Sequence, residues 1–318
     1  MAERIYEFNW DIVGDLQEGR PNLGDKVNFV LYRLMQYTFL DTVAKRFSTD
    51  ETNIIFRDAG NIAGRFFFDN MLTDYKGLSV DDFLGKLRAV LDDNGLCFIR
   101  IDSIDIDSQG YCISVATGIE GVGKEVFPLT DYQYDMGFVE GILFKFTGKE
   151  FLPITVNADT DPSIFPKMGS QINLIPYRIL QYTARDVLEQ RIGTDACNQL
   201  FYDAGDLAGR ILYDNFLLEY KDLPLNGFFA ELQRILKEFG VGILRIEKSD
   251  VDNGQFTLTV SEDLDCSGLP DLGIEVCNYD EGFIAGVFYK FTGVTFNVKE
   301  VDCWCSGDRT CRFNVNRT

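Results

Sequence analysis

The 318-residue chain contains no histidine. That removes the commonest general base, the commonest imidazole metal ligand and every serine–histidine or cysteine–histidine couple, and most hydrolytic mechanisms with them. Basic residues are scarce as well: 30 Lys and Arg face 50 Asp and Glu, a net charge of −20. A field of that sign repels phosphate backbones and anionic lipid surfaces, so no nucleic acid is expected as a partner. No stretch approaches the roughly 20 consecutive apolar residues of a membrane-spanning helix. The opening Met-Ala-Glu-Arg-Ile-Tyr-Glu-Phe lacks the apolar core of a secretion signal, so the expected location is the cytoplasm. What remains is a chain 46% hydrophobic, enough for real cores, and long enough for about two domains of roughly 150 residues.

Self-similarity divides it. YRLMQYT at 32–38 reappears as YRILQYT at 177–183, FRDAGNIAGRFFFDN at 56–70 as FYDAGDLAGRILYDN at 201–215, and YDMGFVEGILFKFTG at 134–148 as YDEGFIAGVFYKFTG at 279–293. The offset is 145 residues each time, and the two longer pairs agree at 9 of 15 positions. A constant offset over more than a hundred residues means a tandem duplication with few insertions. The period is too long for a solenoid unit, so each copy is expected to be a domain with its own core: 24–157 and 169–318. A polar linker with Pro162 runs from Asn157 to Ser163. Residues 1–23 lie outside the repeat and form an N-terminal arm; Phe8, Trp10, Ile12 and Val13 give it something to pack on one of the domains.

Each copy predicts helices first. Apolar residues recur at helical spacing over 26–46 and 171–191, and again over 52–72 and 197–217. A helix over 79–93 opens at Ser79 with Asp81 and Asp82 in its first turn. Hairpins follow, turned at Asp107-Ser-Gln-Gly and Asp252-Asn-Gly. Helices at about 132–147 and 278–292 then end at Gly148 and Gly293, where glycine suits a left-handed cap. Helices and hairpins in separate blocks predict an α+β fold with an antiparallel sheet in each copy.

Eight cysteines are distributed unevenly. Cys97, Cys112 and Cys197 stand singly in apolar contexts and read as buried free thiols. Cys266, Cys277, Cys303, Cys305 and Cys311 all fall in the last 53 residues, and in a cytosolic protein such clustering points to metal rather than disulfide. Cys303 and Cys305, two apart, are expected on one face of a strand, with a tight return through Gly307 placing Cys311 opposite and Glu300 close by. Thiolates with one carboxylate suit zinc; reduced thiols in a packed hairpin are the other reading.

The terminal pattern Glu300-x-x-Cys303-x-x-x-Gly307-x-x-x-Cys311-x-Phe313, behind a helix that opens with Cys277, resembles the 4-vinyl reductase (hydrocarbon-binding) domain family. That resemblance covers the second copy and reaches the first through the repeat. It implies a structural zinc held by Cys277, Glu300, Cys303 and Cys311, whose separations of 23, 3 and 8 residues match the family's aromatic sensors. Cys305 is then a spare thiol or a replacement for Glu300. It also implies a fold akin to haem nitric-oxide sensors and vesicle-tethering subunits, and an apolar cavity between helices and sheet. Phe228, Phe229, Phe256 and Phe283 are the candidates to line it. The first copy has no cysteine between 112 and 197 and has lost the metal. The histidine and tryptophan that anchor a phenol in related sensors have no counterpart here.

Two further motifs dissolve on inspection. Gly118-Ile-Glu-Gly-Val-Gly123-Lys124 resembles a phosphate loop, but Glu125 stands where a magnesium-binding hydroxyl belongs. Asp105-Ile-Asp107-Ser-Gln-Gly110 starts like a calcium loop and ends at Ala116 instead of a bidentate glutamate. The small residues Ala59-Gly60, Ala63-Gly64 and their counterparts at 204–209 lie on one helix face; the two like helices are expected to meet there as an intramolecular pseudo-dimer. The resemblance favours a non-enzymatic sensor or carrier of an apolar, aromatic or tetrapyrrole-like molecule, signalling through a protein partner. An enzyme or accessory factor in porphyrin vinyl reduction is the alternative, although no dinucleotide fingerprint is present; an assembly or scaffold protein is a third.

Overall fold

A computed structural model describes residues 7–96, 99–115, 133–153 and 171–318. Cys97, the run 118–124 and the expected linker at 157–163 lie outside the described residues. In chain order come α1 (Leu16–Gly19), β1 (Lys26–Asn28), α2 (Phe29–Arg46), α3 (Thr49–Phe67), α4 (Val80–Asp93), β2 (Ile99–Asp105), β3 (Gly110–Val115), α5 (Gln133–Thr147) and β4 (Leu152–Pro153). The order then recurs and is extended: β5 (Gln171–Asn173), α6 (Leu174–Ile192), α7 (Thr194–Leu212), α8 (Leu225–Phe239), β6 (Ile243–Asp250), β7 (Gln255–Ser261), α9 (Asn278–Thr292), β8 (Phe296–Asp302) and β9 (Cys311–Arg317).

Local chemistry accounts for these limits. Ser48 and Glu51 form a reciprocal capping box at the start of α3, with Ser48 Oγ accepting from the Glu51 N–H at 3.3 Å and Glu51 Oε2 from the Ser48 N–H at 3.1 Å. Ser79 caps α4 by accepting from the Asp82 N–H. Gly293, at φ 73°, closes α9 in the left-handed region. The helices expected over 52–72 and 197–217 end at Phe67 and Leu212 and continue as one wide π turn. Apolar spacing runs through that turn unbroken, which is why the pattern overshoots.

The two larger sheets follow the predicted hairpins. In the second half the order is β6-β7-β9-β8, antiparallel throughout, with Val260 of β7 opposite Cys311 of β9. In the first half β2 and β3 are antiparallel, and the two-residue β4 runs parallel to β3. The fold is α+β.

The chain divides into two compact units whose limits are not those of the repeat. One joins Asp11–Arg46 to Ile192–Thr318; the other joins 7–10 to Phe47–Arg191. α2 therefore packs with the second copy's elements, and α6 with the first copy's. In the first unit Phe39 of α2 lies 4.5 Å from the Phe201 ring and 5.6 Å from that of Tyr279. Thr38 Oγ1 sits 3.1 Å from the Tyr279 hydroxyl. In the second unit Tyr134, 145 residues before Tyr279, hydrogen-bonds Thr183 of α6, 145 residues after Thr38. The same pair is made twice, each time between unlike copies.

The N-terminal arm is divided: from Asp11 on it belongs to the unit of the second copy, whereas described residues 7–10 belong to the other unit, where the Phe8 ring lies 4.9 Å from that of Phe66. Arg20, buried, donates to the carbonyl oxygens of Gly24, Glu262 and Gly240. Glu262 in return accepts from the backbone N–H groups of Asn22 and Leu23 at 2.9 and 2.8 Å.

The small-residue faces do something other than expected. A Cβ on Gly205 would stand 2.0 Å from the Tyr279 carbonyl oxygen, and one on Gly282 1.9 Å from that of Tyr202. α7 and α9 thus touch backbone to backbone through reciprocal glycines. Gly60 against Tyr134 and Gly137 against Arg57 repeat this contact between α3 and α5. The like helices at 56–70 and 201–215 turn their bare faces to the last helix of their own copy, because only two glycine-bearing partners can approach this closely.

Candidate metal centre and adjoining cavity

Four thiols converge at the lower end of the second copy's sheet. Cys277 is the N-cap residue of α9, Cys303 follows the end of β8, Cys311 opens β9, and Cys266 comes from the loop after β7. Each is buried, and their sulfur atoms all lie within 4.8 Å of one another. Cys277 Sγ is 3.8 Å from Cys303 Sγ and 3.7 Å from Cys311 Sγ, and Cys266 Sγ is 3.1 Å from Cys311 Sγ. Such a buried group can hold a metal ion.

Backbone contacts hold the thiols there. Asp263 Oδ1 accepts from the N–H groups of Asp265 and Cys266 at 2.7 and 3.2 Å, shaping the loop that delivers Cys266. The Cys305 carbonyl accepts from the N–H groups of Leu272 and Gly273 at 2.8 and 2.9 Å, and Trp304 Nε1 donates to the Leu269 carbonyl at 2.9 Å. These bonds clamp the loop to the turn. Cys303 and Cys305 do not share a strand face as expected: β8 ends at Asp302, and Trp304–Ser306 form a 3₁₀ turn closed by left-handed Gly307. The tight turn still buries both sulfurs.

Glu300, expected as a ligand, borders the group. Its Oε2 accepts from the Cys277 N–H at 3.0 Å, while Oε1, also buried, has no hydrogen-bond partner. Its own N–H and the Lys299 ammonium both reach Glu281 Oε1, tying β8 to the first turn of α9. Burial pushes the Glu300 carboxyl up from its ordinary value, and the neighbouring Cys303 adds to this. Burial likewise raises the Cys266 and Cys277 thiols, whereas hydrogen bonds from the surrounding thiols pull Cys303 down. The four sulfurs thus lie close enough to share protons among themselves. A cation in their midst would replace those shared protons.

Above the thiols, between α8, α9 and the β6–β7 face, lies an apolar cavity. Its volume is about 20 Å³. Phe283, Ile284, Val287, Leu258 and Leu232 contribute to its walls, and Asp263 and Asp280 are its acidic members. Of the four phenylalanines singled out in the sequence, Phe283 lines it. Phe229 and Phe256 pack behind, with rings 5.5 and 5.4 Å from Phe288, another wall residue. Phe228 stacks on Phe291 at 3.8 Å.

The first copy is built differently here. Tyr111 and Glu140 stand 145 residues before Phe256 and Ala285; both are buried, and they make a polar group with the half-buried Arg57. Arg57 Nε donates to Glu140 Oε2 at 2.9 Å, and the Tyr111 hydroxyl to Oε1 at 3.2 Å. Burial first, then the Glu140 charge, push the Tyr111 phenol well above its ordinary value. Of the lone cysteines, Cys197 is buried and Cys112 only half-buried, so the expectation of a buried thiol fails at position 112.

Sequence reasoning gathered Cys266 with the terminal cysteines but gave it no role, and it passed over Asp263 and Asp280. Cys266 lies in an irregular loop where no periodicity tells which way a side chain points. The signal available was its membership of the crowded last 53 residues.

An α+β protein of two like halves, the second carrying a buried thiol group beneath an apolar cavity, is the class these features define. Residues 256–317 match the V4R domain. The uncharacterized protein MJ0150 of Methanocaldococcus jannaschii is 30% identical over 169 residues, spanning 52% of this chain and 91% of that protein. MJ1642 of the same organism is 27% identical over 149 residues, 47% of this chain and 80% of its own length. Among solved structures, a vinyl-4-reductase family protein from M. jannaschii shares 21% identity over 37% of this chain and 68% of that one, with a TM-score of 0.30. The phenol-responsive sensory domain of the transcription activator PoxR shares 16%, over 42% and 70%, with a TM-score of 0.37. The chain belongs to the V4R domain family. Among the described residues, no helix is long and apolar enough to cross a membrane.

Proposed function

We propose that the second copy is a binding module for an apolar small molecule, with one wall of its cavity fixed by a structural zinc. The observation that carries this reading is an apolar cavity whose lower end meets four buried, converging thiols. Zinc suits four thiolates in a closed site, and four protein ligands leave it no position for water or substrate. Its role is mechanical: it pins the start of α9, the end of β8, the start of β9 and the loop at Cys266 to one point. We assign Cys277, Cys303 and Cys311 as ligands, with Cys266 as the fourth and Glu300 orienting Cys277 through its backbone N–H.

Small-molecule sites usually offer about 300–1,000 Å³, so a guest enters only if α8 moves outward from the α9 wall that the metal fixes. This favours a compact apolar or aromatic molecule over a tetrapyrrole. A ligand-dependent outward shift of the α8 wall is a signal that a protein partner can read. Filling the cavity tests the reading. Protein purified from its host should carry a co-purified apolar compound detectable by mass spectrometry, and Val287→Phe should abolish that load while zinc content stays unchanged. An undiminished load in Val287→Phe would overturn it.

A further inference from the structure

Asp263 and Asp280 are the two polar side chains on the cavity wall, and both are more than nine-tenths buried. Oδ2 of each lacks a hydrogen-bond partner. These carboxylates and Cys277 Sγ offer ligand atoms that lie within 4.8 Å of one another. Two unpaired carboxyl oxygens beside a thiol, walled by hydrocarbon, are costly as anions unless they take up protons or something positive stands between them.

We propose that Asp263, Asp280 and Cys277 hold a second divalent metal ion, on the cavity side of the thiol site and sharing Cys277 with it. The proposal rests on the thiol-zinc reading above for its neighbour. Three observations converge on it. The donor set of two carboxylate oxygens and one thiolate suits a borderline ion such as zinc or cobalt. Three protein ligands leave coordination positions open. The space beside them, about 20 Å³, holds one water-sized molecule, where about 10–15 Å³ is the minimum for one. That water completes the coordination and faces the apolar chamber.

The fold presents these donors rigidly. Asp280 lies in the first turn of α9, three residues beyond its N-cap Cys277, and Asp263 is locked by Oδ1 to the N–H groups of Asp265 and Cys266. The Oδ2 atoms are left over from these arrangements, so they remain available. Unlike the thiol-bound ion, this one would be exchangeable and open to ligands. A cavity guest with an anionic head and an apolar body could displace its water.

The full chain, expressed in cobalt-supplemented medium, tests this by metal analysis and absorption spectroscopy. The wild type should hold two cobalt ions per chain and show thiolate-to-cobalt charge-transfer bands. The double variant Asp263→Asn, Asp280→Asn keeps the side-chain shapes and the Oδ1 acceptor; it should hold one ion and retain those bands, which also report that the thiol site has folded. One ion per wild-type chain with intact thiolate bands would overturn the second site and leave the first standing. Two ions in the double variant would overturn the ligand assignment. A wild type with no cobalt would overturn both sites.

Discussion

At the scale of single residues, the metal reading turns on which fourth side chain closes the thiol group. Cys266 and Glu300 both approach Cys277, one with its sulfur and the other with a carboxylate already engaged by a backbone N–H. Cys266→Ser and Cys311→Ser should therefore lose stoichiometric zinc, and both should destabilise residues 277–318 far more than Cys197→Ser does. Glu300→Gln should keep the ion with about 10–100-fold weaker affinity, the usual penalty for losing a group that orients a ligand. Competition with a chromophoric chelator measures all of them, and the reverse order would make Glu300 the ligand. Glu262 offers a second test. Burial opposes its charge, but the Asn22 side chain and the backbone N–H groups of Leu23 and Asn22 outweigh it and hold the pKa below its ordinary value. A lowered folded pKa contributes stability that is present above the unfolded value, about 4.3, and is lost as pH falls. Glu262→Gln should thus cost about 1–3 kcal/mol at pH 7, and the gap from wild type should close in urea titrations below pH 4.

Elements were the most legible level. Serine caps, terminal glycines and helical spacing placed α2 to α7 and α9 to within about one or two turns, because those signals are local, while α8 was read only as the source of Phe228 and Phe229. The two hairpins of the four-stranded sheet followed from alternation and turn residues in the same way, but their joining through β7 and β9 did not. The glycine faces show where local signals stop: a bare helix face says that something comes close, and not what. Here it is the backbone of a second glycine-bearing helix. Gly205→Ala and Gly282→Ala should each destabilise by about 3 kcal/mol or more, the upper end of overpacking, since the new methyl meets a carbonyl rather than a movable side chain. Gly85→Ala, in the middle of α4 with nothing within 4 Å of the added carbon, should instead stabilise by about 0.5–1 kcal/mol. Thermal unfolding of the three variants side by side decides the point.

For the whole molecule, the repeat was plain in the sequence and the identity of the packing partners was not. Internal similarity reports which segments are alike, and α2 and α6 are alike enough that either copy could receive either helix. The tertiary contacts decide: Thr38 and Phe39 serve Tyr279 and Phe201. The thiol group was half legible, since Cys277, Cys303 and Cys311 carry the spacing behind the family resemblance while Cys266 depends on how an irregular loop folds back. The exchange also yields a prediction. A fragment of residues 169–318 lacks Arg20, Thr38 and Phe39 and would expose Phe201, which is fully buried in the intact chain. It should be unfolded or self-associated by light scattering, and addition of a 1–46 peptide should restore a compact species. A stable monomeric fragment would count against the exchange.

That exchange bears on how the protein is made. Met35, Phe39 and Val43, all fully buried in the finished molecule, leave the ribosome on α2 early. The surface that covers them belongs to residues 192–318 and is synthesised last. At about 5–20 residues per second, α2 waits for tens of seconds with its apolar stripe uncovered, and during that time only a chaperone or a neighbouring nascent chain can shield it. Slow decoding between the two copies would lengthen that exposure, and two ribosomes in file on one message would bring α2 of one chain within reach of the C-terminal surface of another.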